Sequence, residues 1–77
     1  MITENLKKII NIILLSRGRK QITIVKEDSN LRNDFGFDSL DLAELTVRIE
    51  AEYDIDVFED GLVETVGEIV RKIEKLK

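Results

Sequence analysis

Asp34-Phe35-Gly36-Phe37-Asp38-Ser39-Leu40-Asp41-Leu42-Ala43-Glu44-Leu45 is the stretch on which the fold turns. Its glycine opens backbone conformations closed to other residues just before Asp38. From Ser39 to Tyr53 the apolar residues take up helical spacing. At about 100° per residue, Leu42, Leu45, Ile49 and Tyr53 form one stripe, the expected core face. Leu40, Ala43, Val47 and Ala51 fall roughly opposite, bordered by Asp41, Glu44, Arg48 and Glu50. Small exposed residues such as Ala43 and Ala51 are ordinary on a surface, but a large Leu40 beside a hydroxyl favours a docking strip within an acidic rim. Ser39 opens this helix. First-turn N–H groups have no intrahelical partner and the macrodipole adds positive charge, so a phosphodiester on Ser39 would be stabilised.

Working outward, Leu6, Ile9, Ile10, Ile13 and Leu14 predict a helix from about Thr3 to Ser16, ending near Gly18. From Arg19 to Asp38 the pattern is irregular and rich in turn-forming residues, which predicts a long connection. Such a connection survives in a small domain when it is packed, and Ile22, Ile24, Leu31 and Phe35 are the expected anchors. Asp54 to Leu62 reads as a loop plus one short helical segment. Thr65 is a candidate N-cap and Glu68 its capping-box partner for a last helix carrying Val66, Ile69, Val70 and Ile73, with Arg71, Lys72, Lys75 and Lys77 crowding its end. The expected architecture is all-α: a single domain over 1–77, a small four-helix bundle of three longer helices and one short one, with the long loop between helices 1 and 2.

Composition narrows the chemistry. The 77 residues include no cysteine and no histidine, so there is no disulfide, no thiolate nucleophile and no side chain of the kind most used for proton transfer near neutrality. Without a glycine-rich phosphate loop or a metal-ligand pattern, the chain reads as a non-enzyme that holds no metal. Lack of cysteine suits the reducing cytoplasm. The net charge of −4 disfavours nucleic acid and favours protein partners with basic patches. Arg17, Arg19 and Lys20 read as a solvated cluster at a helix end. Ile9 to Leu15 is far shorter than the ~20 residues that span a bilayer, so no membrane insertion is expected, and the chain reads as a monomer.

The order of elements and the segment Asp34 to Asp41 resemble the acyl carrier protein family over nearly the whole chain. In that family the serine of an Asp-Ser-Leu motif is esterified by 4′-phosphopantetheine, whose thiol carries acyl groups as thioesters. The resemblance implies attachment at Ser39 and partner recognition through Asp38, Leu40, Asp41, Glu44 and Val47. It further implies a phosphopantetheinyl transferase and acyl-transferring and acyl-processing enzymes of fatty acid, lipid or polyketide-type biosynthesis, with basic docking patches, as partners. Primary fatty-acid carriers tend to be more acidic, and Arg48, Lys7, Lys8 and a Phe58 where many relatives have proline point to a dedicated partner set. Aminoacyl and peptidyl carriers usually have a glycine-histidine or similar pair before the serine, where this chain has Phe37-Asp38. From another class, an unmodified helical adaptor would use the Leu40 and Val47 strip for binding alone.

Overall fold

The computed structural model describes residues 2–59, 61 and 63–76, the last by its backbone only. Among them are three helices, α1 (Ile2–Ser16), α2 (Ser39–Tyr53) and α3 (Val66–Leu76), and no strand beyond an isolated antiparallel bridge between Asn30 and Thr65. None of the described helices is long and apolar enough to cross a membrane.

The core forms where the apolar stripes of the three helices meet. Leu6, Ile10 and Ile13 of α1, Leu45 and Ile49 of α2, and Ile69 and Ile73 of α3 are fully buried, joined by Leu31 and Val57 from the connections. Burying each such side chain contributes roughly 1.5–3 kcal/mol relative to leaving it in water. The core is aliphatic at its centre, with Phe35 and Phe37 packed at one edge, ring centroids 5.8 Å apart.

How α1 ends matters for everything that follows. Gly18 takes φ 72°, and the N–H of Arg19 bonds to the carbonyl of Leu14 at 2.8 Å while that of Gly18 bonds to Leu15 at 3.0 Å. This pair of bonds is a Schellman motif, which satisfies carbonyls left over at the helix end and reverses the chain sharply. Arg17 and Arg19 flank that reversal.

The connection over 17–38 lacks regular structure yet is tied at several points. Asn11 of α1 exchanges two hydrogen bonds with the backbone of Ile22, accepting at 2.8 Å and donating at 3.1 Å. Leu31 N–H bonds to Glu64 O at 2.8 Å, Val66 N–H to Ser29 O at 3.0 Å and Gly67 N–H to Glu27 O at 2.8 Å, so the connection also supplies acceptors to the start of α3. Leu31 and Phe35 are buried as anticipated and Ile22 is half-buried, but Ile24 is 70% exposed and anchors nothing. Phe37, not among the anticipated anchors, is buried instead.

After α2, Asp54 takes a left-handed conformation at φ 58° and its N–H closes on Glu50 O at 2.7 Å. The anticipated fourth, short helix does not occur among the described residues, and of the segment to which it was assigned Asp60 and Leu62 lie outside them. A turn occupies 57–59. The Asp56 carboxylate accepts the N–H of Phe58 at 3.0 Å, a side-chain bond that competes with the helical one. Ile55 and Val57 are buried with exposed Asp56 between them, an alternation that a helix would not allow. At the start of α3, Glu68 N–H bonds to the Thr65 hydroxyl at 3.3 Å, and the Glu68 carboxylate accepts from Glu64 N–H and the Thr65 hydroxyl, each at 3.3 Å.

Candidate functional site

Ser39 is the first residue of α2 and is exposed, and among the described residues no hydrogen bond engages its hydroxyl. Its neighbours explain why. Asp38 is the N-cap, extended at φ −100° and ψ −171°, and its Oδ1 accepts the N–H of Asp41 at 2.9 Å. Asp41 returns the bond, its Oδ2 accepting the N–H of Asp38 at 3.0 Å. This reciprocal box fixes the first turn at both ends and leaves Ser39 and Leu40 between them facing solvent. The N–H bond from Asp41 holds the Asp38 carboxyl below its ordinary range; partial desolvation opposes this, and the Asp41 side chain and the Arg17 charge assist.

Asp41 corrects one expectation. It is 1% exposed, so it is not a surface recognition residue. Its Oδ1 faces Arg17 Nε at 2.7 Å, an ion contact too poorly angled to count as a hydrogen bond. A carboxylate removed from water needs such a partner, and at 37% exposure the Arg17 side chain keeps contact with solvent.

A second arginine secures the approach to the serine. Arg19 Nη1 donates to Phe35 O at 3.0 Å and to Gly36 O at 2.6 Å. Gly36 has φ 69°, and a Cβ there would lie 2.9 Å from Arg19 Nη1, so a side chain at 36 would be both strained and in the arginine's way. Arg17 and Arg19 stay exposed, as a solvated cluster at a helix end should, but each also ties the loop down, Arg17 to Asp41 and Arg19 to two backbone carbonyls. Nothing in the local pattern marks them, whereas the Asp38–Asp41 spacing was a readable capping signal that the helical pattern overshadowed.

The outer face of α2 carries the anticipated strip. Leu40 is 67% and Val47 66% exposed, with Ala43 and Ala51 exposed beside them. Glu44 is half-buried and accepts a hydrogen bond from Arg48 Nε at 2.9 Å, which offsets part of the acidity at this position. The structure thus brings Asp38, Ser39, Leu40, Glu44 and Val47 onto accessible parts of one helix and takes Asp41 inside. A surface cleft of about 410 Å³ lies elsewhere, lined by Ile22, Ile24, Lys26, Asp28, Ser29, Asp34 and Phe35 and by no residue of α2.

The phosphopantetheine attachment site family matches residues 7–73, from α1 through most of α3. The chain belongs to the acyl carrier protein family. This carrier is 37% identical over 73 residues to the acyl carrier protein of Amoebophilus asiaticus (strain 5a2), covering 90% of this chain and 88% of that protein. It is 36% identical over 80 residues to the acyl carrier protein of Prochlorococcus marinus (strain MIT 9515), covering 96% and 94%. The carrier is not itself an enzyme, and its cofactor is covalently attached 4′-phosphopantetheine. An exposed hydroxyl on the first turn of α2, unbonded among the described residues, fits that group, which supplies the thiol that a chain without cysteine lacks.

Proposed function

We propose that Ser39 is the residue that carries the phosphopantetheine, and that the protein acts as a single carrier domain delivering acyl thioesters to enzymes of fatty acid, lipid or polyketide-type biosynthesis. The observation that carries this reading is the isolation of the Ser39 hydroxyl: exposed, and unbonded among the described residues, on a turn whose backbone is held by the Asp38–Asp41 box. A serine needed for structure would be expected to bond its hydroxyl, as Ser16 does to Ile13 O at 2.8 Å.

The chain presents the oxygen and little else. With no histidine or cysteine to accept the serine proton, the base and the Mg2+ come from the transferase. Leu40 and Val47 offer apolar contact, and Asp38 and Glu44 offer charge to basic patches on the transferase and on acyl-processing partners. Asp41 is not part of that surface; its role is to hold the turn. Tethering makes each later encounter between thioester and partner depend on docking and raises the effective concentration of the thioester. The moderate net charge of −4 and the Arg48–Glu44 pair support a dedicated partner set over the most acidic type of carrier.

The test is incubation of the purified protein with coenzyme A, Mg2+ and a broad-specificity phosphopantetheinyl transferase, followed by intact mass and peptide mapping. A gain of one phosphopantetheine on Ser39 is expected. A folded protein that gains no mass, beside a control carrier that does, overturns the assignment in favour of an unmodified adaptor.

A further inference from the structure

Two arginines that the carrier surface does not use converge on the modification loop from the end of α1. Arg17 Nε reaches Asp41 Oδ1 at 2.7 Å, inside the capping box, and Arg19 Nη1 bridges the carbonyls of Phe35 and Gly36 just upstream of it. Between them Gly18 closes the Schellman turn, so both guanidinium groups are held by one short, bonded corner. The loop is also tied by Phe37 N–H to Leu31 O at 3.1 Å and by Asp34 N–H to Asn30 O at 2.9 Å.

We infer that Arg17 and Arg19 are positioning residues for the modification of Ser39, clasping the loop and the first turn of α2 to the end of α1 so that the hydroxyl is presented at a fixed angle to the docking strip. The inference rests on the assignment of Ser39 made above. Helix ends fray, and a first turn held only by its own cap opens more readily than the helix interior. A transferase that grips Leu40 and the acidic rim must find the serine oxygen within about 3–3.5 Å of the reacting phosphorus. A loop and turn anchored at two points to the end of a helix whose apolar face is packed in the core meet that demand with less ordering on encounter. Arg17 also brings positive charge beside Asp38 and Asp41, the two carboxylates flanking a serine that is to receive an anionic group.

The test is steady-state transferase kinetics on the full chain, with coenzyme A and Mg2+, at a temperature where circular dichroism shows every variant folded. Arg19→Ala is expected to lower kcat by roughly tenfold with a smaller change in KM, since misplacement of a reacting group acts mainly on the chemical step. Arg19→Lys, which keeps N–H donors for the two carbonyls, is expected to recover most of the rate. Amide exchange should quicken at Phe37 and Asp41 and stay unchanged at Leu45 and Ile49. For Arg17 the decisive variant is Arg17→Gln combined with Asp41→Asn, which leaves no unpaired buried charge. It should be more thermally stable than Arg17→Gln alone and remain slow to be modified.

Unaltered kcat and KM in folded Arg19→Ala overturn the inference for Arg19, and recovery of rate together with stability in the double variant overturns it for Arg17. A wild-type chain that is unmodified, or modified at a residue other than Ser39, overturns the Ser39 assignment and the inference with it; loss confined to the arginine variants separates the two.

Discussion

The inner and outer faces of α2 each carry large aliphatic side chains and an acid, and have opposite duties. Within one helical turn, Asp41 is buried and paired while Leu40 beside it is 67% exposed; farther along, Ile49 is fully buried while Val47 is 66% exposed. By polarity alone the acid belongs outside and the leucine inside. The inversion places an apolar side chain where a partner can touch it and uses the acid to lock the turn that presents Ser39. Residue type is therefore a poor guide to role on this helix, and contact is a good one.

The largest effects should divide by face. Ser39→Ala is expected to abolish phosphopantetheine loading, read by intact mass, while the melting temperature stays within a few degrees, since its hydroxyl bonds nothing among the described residues. Substantial unfolding of that variant would make Ser39 structural and erase the contrast. On the inner face, Leu45→Ala should destabilise the protein by about 2–5 kcal/mol in urea unfolding, through lost burial and the cavity left behind. Because Leu45 is fully buried near the centre of the core, a cost well below that range would mean that the core collapses onto the gap.

Asp41→Ala should come next, at roughly 2–3 kcal/mol, because it removes one half of the capping box and the partner of Arg17 together. The figure falls below the ~3–5 kcal/mol that broken buried pairs cost, since Arg17 is left 37% exposed and can rehydrate. Asp38→Ala removes the other half of the box from the exposed side and should cost less than Asp41→Ala. A reversed ranking of these two would mean that Asp41 matters as a cap alone and that the Arg17 contact contributes nothing.

This pair also shows what was readable in the sequence and what was not. The helical periods of Leu6 to Leu14, Leu42 to Ile49 and Val66 to Ile73 specify all three helices, because repeated burial on one side is a strong and redundant signal. Leu40 and Val47 were legible as exposed because they lie opposite the core stripe. Asp41 was not, since charge argues for exposure and only its tertiary partner Arg17 overrides that prior. The contacts of Arg17 and Arg19 were hidden for the same reason: their partners are a distant carboxylate and two backbone carbonyls, which no local pattern announces. Asp54 to Leu62 read as a loop plus one short helical segment, but the Asp56 side chain diverts the Phe58 N–H into a turn.

Charge on the outer face should matter for partners and hardly for folding. Glu44→Lys breaks the pair with Arg48 and places two cations one helical turn apart, yet a solvent-accessible pair at this i,i+4 spacing contributes only about 0.3–0.5 kcal/mol. The expected outcome is a nearly unchanged urea midpoint with slower loading by the transferase, the deficit shrinking as salt is raised. An unchanged rate at low salt removes Glu44 from the docking surface and confines that surface to Asp38, Leu40 and Val47.

The smallest effect is a slope. Asp38 has its carboxyl held below the ordinary range, chiefly by the N–H of Asp41, so the folded state favours the ionised form more than the unfolded chain does. A depressed folded value contributes stability that is present above the unfolded value, near pH 4, and is lost as pH falls through the folded one. Stability should therefore decline on acidification below about pH 4, and Asp38→Asn, which keeps an oxygen to accept the Asp41 N–H, should flatten that decline without removing the cap. Because the Asp38 carboxylate is solvent-exposed, its share of the slope is small and is best read as the difference between wild type and variant. An identical acid profile in the two proteins would show that the cap functions equally well uncharged, leaving Arg17 and Asp41 as the part of this turn in which charge matters.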